Sequence, residues 1–375
     1  MRVDSFSLRI IYNSRVEPTV EAAVNGCRAA APSGASTGTH EALCFVPDDL
    51  ERIEEALQER LAGEDLSQAE FDDVLEEIDG TDNFADIGAV AIAASLAFWK
   101  AAERDTGDAF PYPAGNLVGG GEHGGNTSIQ EFLVIPAGAG SAPEAMEILS
   151  NIYHEFGERH QRRITGINDE GAYITGFNDE ETLDAVVEVA EEHGARVGID
   201  AAASEFYNGE VYEYGAMGQE LSPQQQVTFM EKLVERFDLA YVEDPLDEED
   251  FDRLADLTER VDDALVVGDD VFVTDAERLQ RGIDLDAGNA IIVKPNQAGT
   301  VSRTRDTFEL AQANGYAPVV SHRSGETCDP AIADLALAWG APLLKAGIAG
   351  IRTAKNNQLL RRWDEQPGEM ADLPF

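Results

Sequence analysis

Lys294 and Lys345 are the residues of this chain best suited to acid–base chemistry. The 375 residues hold five lysines against 22 arginines and 72 acidic side chains, so lysine has been kept at few positions. Lys294 ends the apolar run Ala290-Ile291-Ile292-Val293, and Lys345 ends Leu343-Leu344. A lysine closing a buried strand can give up part of its charge and act as a base, which an arginine cannot do at ordinary pH. Other apolar runs also end in polar groups. Val197-Gly198-Ile199 leads to Asp200, Ala240-Tyr241-Val242 to Glu243, Val266-Val267-Gly268 to Asp269, and Val319-Val320 to Ser321-His322-Arg323-Ser324. One acid after a strand is commonly a helix N-cap. Capping does not explain so many consecutive strand ends. Asp200, Glu243 and Asp269 offer oxygen donors only, the ligand type that suits Mg²⁺. A divalent ion beside a lysine base is an arrangement for removing a proton α to a carboxylate. Arg323 with Ser324 could hold a phosphate through forked hydrogen bonds. Glu170, in the turn Asn168-Asp169-Glu170-Gly171, could protonate a leaving group if burial raises its pKa.

These residues can meet only if the strands carrying them converge. From about residue 115, apolar runs such as Phe132–Ile135, Val197–Ile199 and Leu265–Val267 alternate with amphipathic segments such as Thr182–Glu192, Pro223–Phe237 and Phe251–Arg260. Strand followed by helix, repeated, predicts parallel strands with crossover helices. Seven or eight such units over roughly 250 residues predict an α/β fold with a (β/α)8-type barrel, whose C-terminal strand ends form one mouth. Before it, the segments Ser5–Tyr12, Thr19–Val24 and Cys27–Ala31 read as strands, and about 48–61, 67–78 and 86–105 as helices. The expected organisation is therefore a small α+β capping domain over 1–112, with a mobile Ser33–Gly38 loop, and a barrel catalytic domain over 113–375.

The net charge of −45 opposes nucleic-acid binding, which needs a basic face. With 43% hydrophobic residues the chain has ample material for a core, so the acidity does not indicate disorder. Such a surface repels itself at low ionic strength, and multimolar salt removes that penalty by shortening the Debye length to about 3 Å or less. The expectation is a cytoplasmic protein adapted to high internal salt. Three cysteines without metal spacing give no disulfide framework or zinc site, and the longest apolar stretch, Ala89 to Trp99, is too short to span a bilayer.

Ten ordered motifs extend this reading. They include Ser14-Arg15 with Pro18-Thr19-Val20-Glu21, Pro32-Ser33-Gly34-Ala35-Ser36-Thr37-Gly38 before His40-Glu41-Ala42, and Asp79-Gly80-Thr81-Asp82-Asn83. Then come Gly119-Gly120-Gly121-Glu122-His123, Gln130-Glu131-Phe132, Val242-Glu243-Asp244-Pro245-Leu246, Val267-Gly268-Asp269-Asp270 and Ser321-His322-Arg323-Ser324-Gly325-Glu326-Thr327. Over nearly its whole length the chain resembles the enolase (phosphopyruvate hydratase) family, whose superfamily pairs a base with Mg²⁺ that stabilises an ene-diolate. The resemblance implies Mg-dependent, reversible dehydration of 2-phosphoglycerate to phosphoenolpyruvate. It implies that Lys294 takes the C2 proton, Glu170 protonates the departing hydroxyl, and Glu131 supports Glu170. It places Mg²⁺ on Asp200, Glu243 and Asp269, with a second Mg²⁺ arriving with substrate and bound by Ser36 of the lid. Arg323 and Ser324 would grip the phosphate, Lys345 would neutralise the dianionic intermediate, and His123, Gln130 and His322 would contact the substrate. A homodimer is implied as well.

The chain departs from the family pattern at several points. Val16 replaces a glycine, the stretch from His123 to Glu131 is one residue short, Pro295 follows the lysine, and Ala172 replaces a glycine. The segment after Lys345 is shortened to Gly350-Ile351-Arg352-Thr353-Ala354-Lys355. Two other readings fit the same residues: a superfamily paralogue acting on another carboxylate, and a non-catalytic enolase-like binding protein.

Overall fold

The computed structural model describes residues 1–34, 41–102, 107, 109–121 and 124–375. The first strands form an antiparallel sheet of Phe6–Tyr12, Pro18–Val24 and Cys27–Ala30, with Phe6 opposite Val24. Three helices follow. Asp49 caps Leu50–Leu61, and Ser67 and Glu70 cap Gln68–Asp79 reciprocally, the arrangement that satisfies orphan N–H groups at a helix start. Ala89–Ala102 has every residue from Ala89 to Trp99 buried, because it lies between the sheet, its sister helices and the second domain. Ser95 and Asp72 reach across to accept the backbone N–H groups of Val301 and Ser302, at 2.9 Å each, where the helix Val301–Ala313 begins.

The second domain is a closed barrel. Its strands are Tyr112–Gly119, Glu131–Ile135, Arg196–Asp200, Tyr241–Glu243, Leu265–Gly268, Ala290–Val293, Ala317–Ser321 and Leu343–Lys345, and the last pairs with the first through Leu343 and Tyr112. Eight strands close as the strand–helix alternation predicts. The expectation that all run parallel does not hold. Glu131–Ile135 is antiparallel to both its neighbours. No α-helix lies between Gly119 and Glu131 among the described residues, and a parallel return needs a long crossover, so the chain turns back on itself. The consequence is functional: the start of this strand, not its end, lies at the mouth, where Glu131 sits opposite Asp200.

Strand parity then decides which side chains point into that mouth. Leu133, Ile135, Tyr241, Leu265, Val267, Ala290, Ile292, Ala317, Val319 and Leu343 fill the barrel interior. Val266, Ile291, Val293, Val320 and Leu344 face outward to the helices. Continuing the inward set by two residues gives Glu131, Glu243, Asp269, Lys294, Ser321 and Lys345. Gly198 is in the same layer, where a Cβ would come within 2.7 Å of the Tyr241 Cβ, so only glycine leaves room for that ring.

A hairpin, Ile164–Ile167 with Tyr173–Thr175, is attached to the first barrel strand and carries the turn that holds Glu170. Asn168 Oδ1 shapes the turn by accepting the N–H groups of Glu170 and Ala172, at 3.0 and 2.9 Å.

The two domains also meet through a buried ion pair. Arg323 Nη1 donates to Glu41 Oε2 at 2.8 Å, and both side chains are 5% exposed. Removing one partner of such a pair leaves a charge without compensation, at about 3–5 kcal/mol. Glu41→Ala is therefore expected to lower unfolding stability by that order in molar KCl, with Glu41→Gln costing less because it keeps an acceptor. Urea titration of the three proteins measures this, and an Ala variant as stable as the parent would contradict the docking role.

Candidate active site

A cavity of about 260 Å³ opens at the barrel mouth. Gln130, Glu131, Glu170, Asp200, Asp269, Lys294, His322, Arg323, Ser324 and Lys345 all line it. Glu243, expected beside them, is not on the wall. It is fully buried beneath, with its carboxylate held by Lys345 and by the Tyr241 hydroxyl. His123 and Ser36 lie outside the described residues, as do 35–38 of the Ser33–Gly38 loop.

The floor is a crowd of carboxyl groups around one amine. Lys345 Nζ lies 2.9 Å from Glu131, 2.8 Å from Asp200 and 2.7 Å from Glu243. Burial draws the Lys345 pKa down, but those three carboxylates hold it well above the usual range. Burial also pushes Glu243 well above the usual carboxylate range, and the neighbouring Asp200 adds to the push. Burial raises Asp200 too, with Lys345 opposing and Glu131 assisting.

Asp269 behaves differently. Burial would raise it, yet Lys294 and Lys345 hold it below its ordinary value. Lys294 Nζ is ion-paired directly with Asp269. Burial draws the Lys294 pKa down, but Asp269 more than offsets this and the net shift is upward. The sequence-based expectation of a lysine that has lost part of its charge is thus not met in this state. Asp269 favours the ammonium form of Lys294.

Asp244 aims Asp269 by accepting the backbone N–H groups of Asp269 and Asp270, at 2.9 Å each. The carboxylates of Asp244, Asp269 and Asp270 lie within 4.8 Å of one another, and burial with Asp269 nearby pushes Asp270 up to about 7. Gln297 links Asp269 to Glu41, and Thr274 fixes Gln297 in turn. Four carboxyl groups (Glu131, Asp200, Glu243 and Asp269) against two amines form a buried acidic cluster made entirely of oxygen donors. That donor set fits a hard divalent cation. Of these acids, Asp269 belongs with Asp244 and Asp270 to a group that could hold a metal ion.

Glu131 also belongs to a second group: carboxylate oxygens of Glu131 and Glu170 and a ring nitrogen of His322 lie within 4.8 Å of one another. Glu170 is buried; Asn116 Nδ2 donates to its Oε2 at 3.2 Å and Arg352 Nη2 to its Oε1 at 3.0 Å. Burial places the His322 pKa well below the usual histidine range, with the Arg352 charge adding to the effect, so the ring is neutral. Sequence reasoning gave no role to Arg352, Asn116, Glu41 or Tyr241. Asn116 did carry a signal: it is the only side-chain amide of the run Tyr112–Gly119 and shares the inward parity of Tyr112 and Ala114.

The chain matches known proteins over nearly its whole length. Residues 3–109 match the family model described as the enolase N-terminal domain, and residues 108–373 match the enolase C-terminal TIM barrel domain. The chain is 46% identical to an enolase of Natronomonas pharaonis, over 94% of this chain and 97% of that protein. It is 44% identical to an enolase of Halobacterium salinarum, over 97% and 99%. It is 41% identical to an enolase of Archaeoglobus fulgidus, over 96% and 97%. Two salt-loving archaea among these relatives accord with the acidic surface. The chain belongs to the enolase family.

Proposed function

We propose that this protein is a phosphopyruvate hydratase, a carbon–oxygen hydro-lyase that reversibly converts 2-phosphoglycerate to phosphoenolpyruvate and water. The observation that carries this reading is one cavity lined by an amine, Lys294, and by two facing carboxyl groups, Glu131 and Glu170, above a carboxylate-rich floor. Lys294 takes the proton from C2. The electrons left behind form the C2–C3 double bond as the C3–oxygen bond breaks, and Glu170 supplies the proton that turns the departing hydroxyl into water. Glu131 shares a hydrogen-bonded environment with Glu170 and supports that transfer. Arg323 and Ser324 bind the phosphate, and Lys345 opposes the charge that builds on the substrate. Gln130 and His322 contact the substrate from the cavity wall, and His123 is a further substrate contact.

Asp200, Glu243 and Asp269 would hold one Mg²⁺, and Ser36 a second that enters with substrate. Such an ion, when bound, neutralises the charge that develops on the substrate carboxylate. An Asp269 committed to a cation no longer holds Lys294 as an ammonium, which is the condition for Lys294 to act as a base. No helix among the described residues is long and apolar enough to cross a membrane. The cytoplasm, at multimolar salt, is the compartment we assign.

Self-association is part of the proposal. Ile10, Tyr12, Val16 and Ile167 are exposed large apolar residues, Val16 at 78%. The Arg15–Asp169 ion pair ties the loop carrying Val16 to the turn after Ile167. A cluster of this kind on an acidic surface marks an interface, and we assign it to a second copy of this chain.

Phosphoenolpyruvate absorbance in molar KCl with Mg²⁺ tests the activity. Turnover of 2-phosphoglycerate is expected, with loss by about 100-fold or more in Lys294→Ala and Glu170→Gln and abolition by a chelator. Turnover of unphosphorylated sugar acids instead, or an active Lys294→Ala variant, would contradict it. Sedimentation in the same salt is expected to give a dimer that Tyr12→Asp weakens; a wild-type monomer at all concentrations would refute the interface.

A further inference from the structure

The shortened segment after Lys345 contains the largest of the fully buried side chains, Arg352, which the mechanism above does not use. Its Nε donates to His322 Nδ1 at 2.7 Å, and its Nη1 to the Asp169 carbonyl at 2.9 Å. Its Nη2 reaches Glu170 Oε1 at 3.0 Å and the carbonyls of Ser324 and Arg323 at 2.7 and 3.3 Å. One planar fork therefore ties the Glu170 turn to the strand end that carries His322, Arg323 and Ser324.

The surrounding backbone leaves little freedom. A Cβ on Gly347 would meet Arg352 Cδ at 2.6 Å and the Glu170 carbonyl at 2.9 Å. Gly171 has φ +85°, and a Cβ there would lie 2.9 Å from the Ala349 carbonyl. Asn356 Nδ2 holds the Gly347 carbonyl at 3.1 Å. The segment 347–352 is seated directly on the turn of Glu170.

We propose that Arg352 is a positioning residue: it holds His322 as the neutral tautomer protonated on Nε2 and fixes the direction of the Glu170 carboxyl toward the leaving hydroxyl. The role of Glu170 rests on the hydratase reading; the tautomer does not. A guanidinium is always protonated, so its Nε–H can only donate, and Nδ1 of the ring must be the acceptor. The ring proton is then on Nε2. The other charged groups acting on the ring are Glu131 and Glu170, whose carboxylates lie within 4.8 Å of a ring nitrogen, and the ammonium groups of Lys345 and Lys294.

Two measurements on the full-length protein in molar KCl test this. In the first, ¹⁵N NMR of imidazole-labelled protein, with His322→Gln assigning the resonance, is expected to show Nδ1 unprotonated and Nε2 protonated from about pH 5.5 to 8, across the range where a free histidine titrates. A protonated Nδ1 in the wild type overturns the proposal, whether or not any Arg352 variant folds. In the second, C2 deuterium exchange is compared with phosphoenolpyruvate formation, both with Mg²⁺. Arg352→Gln is expected to slow dehydration about 100-fold, the order of a positioned proton donor, with exchange by Lys294 kept within about tenfold. Equal losses in both reactions, or none, overturn the positioning role. A wild type that neither exchanges nor dehydrates 2-phosphoglycerate overturns the hydratase reading instead, and the NMR result still decides the tautomer.

Discussion

Four carboxyl groups are buried side by side at the barrel mouth, and the rest of the site exists to make that tolerable. Isolated carboxylates in such a place would take up protons. Lys345 answers three of them, Glu131, Asp200 and Glu243, and Lys294 answers the fourth, Asp269. Tyr241 donates to Glu243 from within the barrel, and Asp244 uses both its oxygens to aim the backbone that carries Asp269. The lysines are thus placed by the acids as much as by their own strands. The same attraction that holds Lys294 at the site holds it protonated, so its basicity depends on what else claims Asp269.

Barrel geometry makes the crowding possible. Every inward strand position two residues beyond the apolar interior falls at the mouth, and polar side chains at those positions converge without further instruction. The antiparallel second strand contributes by its beginning, which brings Glu131 into register with Asp200. An all-parallel barrel would have sent Glu131 to the opposite rim. The N-terminal domain then closes one side, with Glu41 neutralising Arg323 from across the boundary.

Much of this was legible in the sequence. The helices Pro223–Phe237 and Phe251–Arg260 and the strand Ala290–Val293 begin and end where hydrophobic period and turn residues place them. Lys294 and Lys345 drew notice because lysine is scarce elsewhere. The strand reversal at Glu131 was not legible, since an apolar run does not announce its direction; only the glycine-rich stretch Gly119-Gly120-Gly121, with no amphipathic run before Glu131, hinted at it. Arg352 was hidden for a different reason. An arginine among 22 is unremarkable until its partners are known, and those partners lie 28 to 183 residues away. Glu243 stood with its neighbours in the motif, while its depth below the cavity depends on the Tyr241 hydroxyl and the Lys345 amine, which no spacing reveals.

The acidic exterior and the acidic site are separate matters. Surface carboxylates are solvated and screened by salt, whereas those at the mouth are shielded from it and must be met by fixed charges or by a bound cation. The most direct test is a crystal soaked in Mn²⁺ and examined for anomalous scattering. The account predicts one strong peak coordinated by Asp200, Glu243 and Asp269, with the Lys294 amine released from Asp269. A mouth without a peak, or an ion seated elsewhere while Lys294 and Lys345 keep their carboxylate partners, would contradict it.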